Sequence, residues 1–228
     1  MVIQYGVLHN RKTAGTAVKY VISQQKRRTP SLTVHCFEHA MTFPKFVSTH
    51  PSAKAIFFVR DPVSRFVSGF YSRLREGRPR YYYPWSSGEK RAFKRFQHPN
   101  QLAEALSSLN LLKRYFAWSA MRSIGHVRHR YVAFLGSLAF LEKEAHKIAF
   151  IGHQPDFDAD LVRLRALLQI DEDIVAPSDE TNAHRNPRGT DKYLSDKALR
   201  NLKRWYADDF GIYNWCLEKR NELLIGEH

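Results

Sequence analysis

The stretch AIFFVRDPVSRFVSGF, residues 55–70, carries the strongest secondary-structure signal in the chain. Its first part, Ala55–Arg60, is a continuous apolar run of the kind that is buried in a parallel sheet. Asp61 and Pro62 follow directly, and they predict a helix that is capped by the aspartate and has proline at its first position. The stretch therefore predicts a buried strand that leads straight into a helix.

The same alternation extends along the chain on both sides. Apolar runs predict strands at Val2–Leu8, Leu32–Phe37 and Lys147–Gly152, and periodic apolar residues predict helices at Ala14–Gln25 and Asp156–Leu168. Strands that alternate with helices are typical of α/β proteins. We therefore expect an α/β fold, P-loop-like and three-layered, with a central and mostly parallel sheet flanked by helices.

The middle of the chain has a different character. Glu76–Arg95 is rich in aromatic, basic, Pro and Gly residues without clear periodicity, which favours a long loop or lid. Further helices are predicted at Gln101–Ser107, at Leu111–Met121, from Ser195 onward and near the C-terminal end. We expect one domain over residues 1–228, in which residues 76–130 form a lid or insertion that contributes acceptor-binding elements.

The charge of the chain indicates an anionic partner. The net charge is +14 over 228 residues, which favours nucleic acid, an acidic glycan, an anionic membrane or a multiply phosphorylated cofactor. The two cysteines give neither a disulfide framework nor a metal-binding pair. The first residues are too polar for a signal peptide. Together these features lead us to expect a cytoplasmic location.

The loop LHNRKTAGTAV, residues 8–18, lies between the first strand and the first helix, where a phosphate-binding loop belongs. Free backbone N–H groups and the helix dipole favour an anion there. Lys12 adds a cation, Thr13 and Thr16 add hydroxyl donors, and Gly15 allows close approach of the backbone. The alternative is an ordinary strand-to-helix turn, because the loop does not match the GxxxxGK[ST] pattern.

A second cluster lies at the end of the strand quoted above. Arg60 is expected at the carboxyl end of a buried strand, where open α/β sheets bind ligands. Ser64 and Ser68 follow on the helix, on a face away from its apolar stripe, so that they and Arg60 could converge on one anion. The alternative is that Arg60 forms an ion pair with Asp61 or Asp160.

Taken together, the two clusters resemble those of a known family. HNRKTAGTA, residues 9–17, is similar to the 5′-phosphosulfate loop of sulfotransferases, which often reads H-x-P-K-T-[AG]-[GS]-T in the carbohydrate branch. RDPVSRFVS, residues 60–68, is similar to their 3′-phosphate motif, an Arg followed eight residues later by a Ser. The chain thus resembles sulfotransferases of the carbohydrate (heparan/uronosyl 2-O-like) branch, bacterial type. Arg11 stands where that family often has Pro.

The resemblance implies a donor and a set of residues that bind it. The donor is 3′-phosphoadenosine 5′-phosphosulfate (PAPS), the product is 3′-phosphoadenosine 5′-phosphate (PAP), and no metal is required. Lys12 would be catalytic, on the leaving 5′-phosphate, while Arg60 and Ser68 would bind the 3′-phosphate with help from Arg188. The full set of implied donor-binding residues is Arg11, Lys12, Thr13, Ala14, Gly15, Thr16, Ala17, Arg60, Ser68 and Arg188.

A hydroxyl acceptor needs a general base, and histidine titrates in the required range. In TVHCFEHAMTF, residues 33–43, His39 resembles in position the catalytic histidine of the carbohydrate branch. Glu38 and His35 remain alternatives. His35, Cys36 and His39 provide at most three metal ligands within five residues and lack a distant partner, so we expect no metal site.

The acceptor is expected to be a carbohydrate or glycolipid, of anionic character. Aromatic rings can stack on sugars and arginines can pair with carboxylates or sulfates, which makes Arg80, Tyr82 and Trp85 candidate substrate-binding residues. We expect no nucleic-acid partner. A peripheral membrane contact and the oligomeric state are left open.

Two other functional classes compete with this hypothesis. A P-loop small-molecule kinase would also use Lys12, but it needs the missing Walker pattern and an acidic residue for magnesium, for which the sequence offers only Asp61. A non-catalytic polyanion-binding protein would explain the charge, but not the paired phosphate motifs.

Overall fold

A computed structural model describes residues 2–25, 31–79, 81–176 and 190–225. Its centre is a parallel sheet of four strands: β1 Ile3–Leu8, β2 Leu32–Cys36, β3 Lys54–Val59 and β4 Ile148–His153. The order is β2-β1-β3-β4, so the chain first moves from β1 outward to β2 and then returns past β1 to β3 and β4 on its other side. The predicted fold class and all four predicted strands are confirmed.

Eleven α-helices lie within the described ranges. They are α1 Gly15–Gln24, α2 Phe43–Thr49, α3 Pro62–Leu74, α4 Ser87–Phe93, α5 Pro99–Ala105, α6 Leu111–Ser123, α7 Tyr131–Leu135, α8 Leu138–Lys143, α9 Phe157–Leu168, α10 Asp196–Trp205 and α11 Ala207–Ile225. None of these helices is long and apolar enough to cross a membrane. The sequence missed α2, α7 and α8, which are only five to seven residues long and too short to show a helical period.

The two faces of the sheet are buried by different helices. On one face, Val18 and Val21 of α1 and Leu164 of α9 pack against Ile56 and Phe58 of β3. The opposite face is covered by α2, α7, α8 and α11, which pack against the other side chains of β3. This arrangement gives the predicted three layers and explains why β3 reads as an uninterrupted apolar run.

A third hydrophobic cluster lies beside the sheet and consists of helices α3, α4, α5, α6 and α10. The predicted loop over residues 76–95 is therefore wrong in its second half, where α4 forms. Ser86 and Glu89 make a capping box that starts this helix, a signal that the aromatic and basic composition obscured. Glu89 also forms a buried ion pair with Arg73.

Helix α3 joins the sheet to this cluster. Asp61 caps it by accepting a hydrogen bond from the Ser64 backbone N–H at 2.7 Å, and Pro62 occupies the first turn, as predicted. Ser68, which the sequence places away from the apolar stripe of α3, is 6% exposed. Most of α3 is buried, because the helix packs against α5, α10 and α11.

Candidate active site

The loop between β1 and α1 has an unusual backbone. Lys12 and Ala14 both have left-handed conformations, with φ of 64° and 71°, and Thr13 between them does not. Such alternation turns successive N–H groups toward one point and favours an anion. The backbone N–H groups of Gly15 and Thr16, at the start of α1, find no acceptor in the described part of the protein. The loop therefore presents several hydrogen-bond donors and the positive end of a helix dipole.

Two residues of the loop, Thr13 and Gly15, have packing roles. The Thr13 hydroxyl is buried and donates to the Asn10 carbonyl oxygen at 3.1 Å, so it closes the loop rather than pointing out of it. A Cβ at Gly15 would lie 2.2 Å from Cδ2 of His9, so this position has room only for glycine. The residue types at 13 and 15 thus set the path of the backbone. Thr16 is half-buried at the start of α1.

Lys12 lies in an environment that opposes its charge. Burial, followed by the positive charges of Arg60 and Arg75, lowers the pKa of Lys12 to about 7. No carboxylate forms an ion pair with Lys12 or Arg60 in the ranges that the structure describes. Positive charges that are brought together in this way favour the binding of an anion.

Arg60 is held by its main chain and by its side chain. The buried Tyr131 hydroxyl accepts from the Arg60 backbone N–H at 2.7 Å and donates to the Arg60 carbonyl oxygen at 2.6 Å. The Arg60 Nε–H donates to Ser64 Oγ at 2.8 Å. The alternative ion pairs are not observed: Asp61 caps α3, and Asp160 binds Arg163 and Arg220.

His39 is oriented by the phosphate loop. Its Nδ1 lies 2.7 Å from the His9 carbonyl oxygen, and the His9 and His39 ring centroids are 4.1 Å apart. Because a carbonyl oxygen can only accept, Nδ1 carries the proton and Nε2 keeps its lone pair. The pKa of His39 is lowered, chiefly by burial; the His9 hydrogen bond opposes this effect and the charge of Arg11 adds to it. His39 is therefore neutral at physiological pH and able to accept a proton.

The two alternative bases are less well placed. Glu38 is exposed and forms an ion pair with Lys19, whose hydrogen bond is the main cause that lowers the pKa of Glu38. A carboxylate with a lowered pKa is a weak base. His35 lies exposed near the end of the edge strand β2.

A basic segment that was not among the predicted site residues lies against this site. Residues 126–130 read HVRHR and follow α6. Burial, then the charges of Arg11, Arg128 and Arg65, lowers the pKa of His129 to about 4. His129 is thus neutral and close to the phosphate loop. The density of histidine and arginine in five residues was the available signal.

His129 and Arg128 also line a cleft of about 890 Å³ between α6 and α10. Four of its arginines, Arg114, Arg122, Arg128 and Arg204, make no ion pair within the described residues. The Trp118 and Trp205 ring centroids are 5.8 Å apart, and the Arg122 guanidinium carbon lies 5.5 and 5.4 Å from them. The cleft therefore combines aromatic surface with uncompensated positive charge, and it adjoins the phosphate loop through His129.

Two of the predicted acceptor residues, Trp85 and Tyr82, do not line this cleft. Trp85 is packed in the helical cluster, 5.2 Å from the Phe93 ring, and its indole N–H donates to the Arg73 carbonyl oxygen at 2.7 Å. Tyr82 is exposed, with the Arg78 guanidinium carbon 4.5 Å from its ring centroid. Arg80 and Arg188 lie outside the described residues.

This geometry defines an α/β protein with a cluster of basic groups at the carboxyl ends of adjacent parallel strands, where such folds usually bind ligands. A family model described as "Sulfotransferase family" matches residues 7–215, and the chain belongs to that family. It is an enzyme that transfers a sulfonate group. The crystal structure of a sulfotransferase from Alicyclobacillus acidocaldarius is 12% identical, with 92% of this chain and 93% of that chain covered and a TM-score of 0.43. No curated protein matches the sequence.

Proposed function

We propose that the protein transfers the sulfonate group of PAPS to a hydroxyl of a carbohydrate or glycolipid acceptor of anionic character. The observation that carries this proposal is that the charges of Lys12 and Arg60 act on each other at the ends of the neighbouring strands β1 and β3, while neither forms an ion pair with a carboxylate of the described residues. The order of the strands changes direction at this point, and such crevices are the usual ligand sites of parallel sheets.

The residues present fit a donor with two separated phosphate groups. Lys12, the left-handed loop and the free N–H groups of Gly15 and Thr16 fit the 5′-phosphosulfate. Arg60 and Ser68 fit the 3′-phosphate, and Arg188 is proposed to assist them. Arg11, Thr13, Ala14 and Ala17 complete the proposed donor-binding loop. The left-handed Lys12 and Ala14 supply an observation independent of the motif, since an ordinary turn would not require such strain.

When bound, PAPS supplies a sulfonate group whose transfer leaves negative charge on the 5′-phosphate. The Lys12 ammonium group is placed to stabilise that charge, and an adjacent anion would restore the protonated form that burial disfavours. The N–H groups at the start of α1 hold their positions without reorganising, which makes this stabilisation effective.

His39 accepts the proton of the acceptor hydroxyl at Nε2. The His9 carbonyl fixes the required tautomer and the ring plane, so the basic nitrogen is the one that remains free. The cleft between α6 and α10 would hold the acceptor, with its arginines on the anionic groups of the acceptor and its tryptophans on the apolar faces of sugar rings.

The first experiment is calorimetric binding of PAP, compared with ADP and with ATP–magnesium, at physiological salt. The expected result is tight binding that depends on the 3′-phosphate. A preference for ATP–magnesium would support the kinase alternative, although Asp61 is already used as the helix cap. Equal binding of all three nucleotides would support a non-catalytic polyanion-binding protein instead.

The second experiment tests the base with His39→Asn. The asparagine amide nitrogen can replace Nδ1 in the hydrogen bond to His9, and the variant lacks only the basic Nε2. Turnover should fall by roughly 10²–10⁴-fold, the usual contribution of general-base catalysis, while PAP affinity stays unchanged. Unchanged turnover would remove His39 as the base, and Glu38→Gln and His35→Asn would then be compared.

A further inference from the structure

The start of α6 and the turn before it expose an unusual number of large apolar side chains. Leu109 is 98% exposed, and Leu111, Leu112 and Tyr115 are 68%, 63% and 67% exposed. Single exposed apolar residues are ordinary, but a contiguous group on one turn of a small protein marks an interaction surface. We name these four residues the apolar tip.

The apolar tip is embedded in positive charge. Lys113 and Arg114 are exposed between its members. Glu104 is an acidic group whose charge interacts with Lys113, and its carboxylate is engaged by the Ser195 hydroxyl at 2.6 Å. Apolar side chains interleaved with lysine and arginine are typical of segments that lie at the interface of an anionic bilayer.

The apolar tip is also continuous with the cleft. Leu111, Tyr115, Trp118 and Arg122 follow one another at helical spacing along α6, and the last two line the cleft. Trp118 is 45% exposed, so the aromatic surface extends from the tip to the cleft entrance. A surface that holds the tip would face the cleft entrance as well.

The charge argues against a second copy of the chain as the partner. In a twofold dimer the same patch meets itself, which would oppose Lys113, Arg114 and Arg122 to their own copies. The four unpaired arginines of the cleft would add to that repulsion. An anionic lipid surface, in contrast, complements both the apolar and the basic residues.

We propose that the apolar tip docks the protein on an anionic membrane surface, with Leu109, Leu111, Leu112 and Tyr115 among the headgroups and Lys113 and Arg114 on lipid phosphates. Docking presents the cleft between α6 and α10 to molecules that are anchored in the bilayer. It accordingly favours a lipid-linked acceptor over a free sugar. The docking step itself does not depend on the sulfonate transfer proposed above, and it is tested without donor.

The test is co-sedimentation of the full chain with phosphatidylcholine vesicles, with and without phosphatidylglycerol. Wild type should bind the vesicles that contain phosphatidylglycerol and bind pure phosphatidylcholine at least about tenfold more weakly. Leu109→Ser combined with Leu111→Ser should lower the partition coefficient by about tenfold or more, because two exposed leucines lose their transfer into the interface. Lys113→Gln combined with Arg114→Gln should lower it by a similar factor on phosphatidylglycerol vesicles only.

Matched variants control for hydrophobicity and net charge. Val162→Ser with Leu138→Ser removes two exposed apolar side chains of α9 and α8, and Arg91→Gln with Lys203→Gln removes two exposed charges of α4 and α10. Both pairs should bind vesicles like wild type. Circular dichroism and PAP binding should be unchanged in every variant, because none of these residues lies in the proposed donor site.

Four results would overturn the proposal. Wild type that ignores both kinds of vesicle, or a Leu109/Leu111 variant that binds as well as wild type, would remove the tip as a membrane contact. A loss that the matched charge variant reproduces would reduce the effect to net charge. A wild-type dimer in sedimentation velocity that the leucine variant converts to a monomer would instead make the tip an interface between copies.

Discussion

Basic residues that are buried or half-buried occur in two contrasting environments in this protein. Arg65 and Arg73 lie in the helical region, and each contacts a buried carboxylate, Asp209 at 2.8 Å and Glu89 at 2.6 Å. Lys12 and Arg60 lie at the ends of β1 and β3 without such a partner in the described chain. Carboxylates of the protein itself neutralise Arg65 and Arg73. For Lys12 and Arg60, the proposed donor would supply the negative charge.

The contrast separates structural charge from functional charge. A buried arginine with its carboxylate costs little more than a well-packed apolar pair, whereas an unpaired buried cation lowers stability. Folding therefore gains nothing from placing Lys12 and Arg60 together, and binding of an anion gives that placement its purpose. Substitutions in the ion pairs of Arg65 and Arg73 should accordingly lower the free energy of unfolding. Substitutions of Lys12 and Arg60 should lower turnover or ligand affinity instead.

The largest effect is expected from Glu89→Gln. The substitution leaves Arg73 buried without a countercharge and should lower the free energy of unfolding by about 3–5 kcal/mol, measured by denaturant titration. Burial alone would raise the pKa of Glu89, but hydrogen bonds from Arg73, Gly125 and Ser86 lower it to about 2. The contribution is thus present above about pH 4.5 and disappears as the pH falls toward 2. Arg91→Gln, an exposed change on the same helix, should have no effect; equal losses would contradict the argument.

Lys12→Met should show the opposite pattern. Turnover should fall by about 10²–10³-fold, as when one donor that stabilises developing negative charge is removed. The free energy of unfolding should stay the same or increase, because a buried unpaired cation is replaced by an apolar side chain of similar length. Single-turnover kinetics and denaturant titration on the same preparation measure the change in turnover and the change in the free energy of unfolding. A variant that loses both activity and stability would show that Lys12 has a structural role.

Arg60→Gln is expected to have an intermediate effect. PAP affinity should fall by about 10–100-fold, the usual consequence of losing a charged hydrogen-bond donor to a phosphate. ADP, which lacks the 3′-phosphate, should bind the variant and wild type equally. Calorimetry with both nucleotides measures this difference. An equal loss for ADP would assign Arg60 to another part of the ligand.

The smallest effect concerns the pH dependence of stability without ligand. The pKa of Lys12 is lowered from 10.5 to about 7, so between these values the unfolded chain binds more protons than the folded protein. Stability should therefore rise with pH across this window, by at most about 1.4 kcal/mol per pH unit. The slope should be smaller in Lys12→Met, and PAP should suppress it in wild type. Identical slopes in the two proteins would show that the Lys12 ammonium is not destabilised in the folded state.

The sequence predicted those features that depend on neighbouring residues. The apolar run of β3, the Asp61–Pro62 start of α3 and the loop before α1 are local signals, and the structure has each of these elements where the sequence placed it. The hydrogen bond between His39 and His9 joins residues 30 positions apart, so no local pattern could show which imidazole nitrogen remains free.

Other features depend on contacts between distant segments. The sequence could not show that Ser68 is only 6% exposed or that Trp85 packs against the helical cluster. Their burial depends on how helices far apart in sequence pack together, and composition does not encode this. The cleft arginines went unnoticed for the same reason, since α6, the HVRHR segment and α10 meet only in three dimensions.

Tyr131 contacts one arginine of each kind: Arg60, which forms no ion pair in the described chain, and Arg65, which is paired with a carboxylate. The Tyr131 hydroxyl holds the backbone of Arg60, while the Arg65 guanidinium, already paired with Asp209, lies 4.2 Å from the Tyr131 ring centroid. A Tyr-to-Phe difference at this position in a related sequence would look conservative, yet it would leave both main-chain groups of Arg60 without their partner. When natural variation in such chains is interpreted, a change at position 131 is therefore more informative about the proposed donor site than a change of most surface charges.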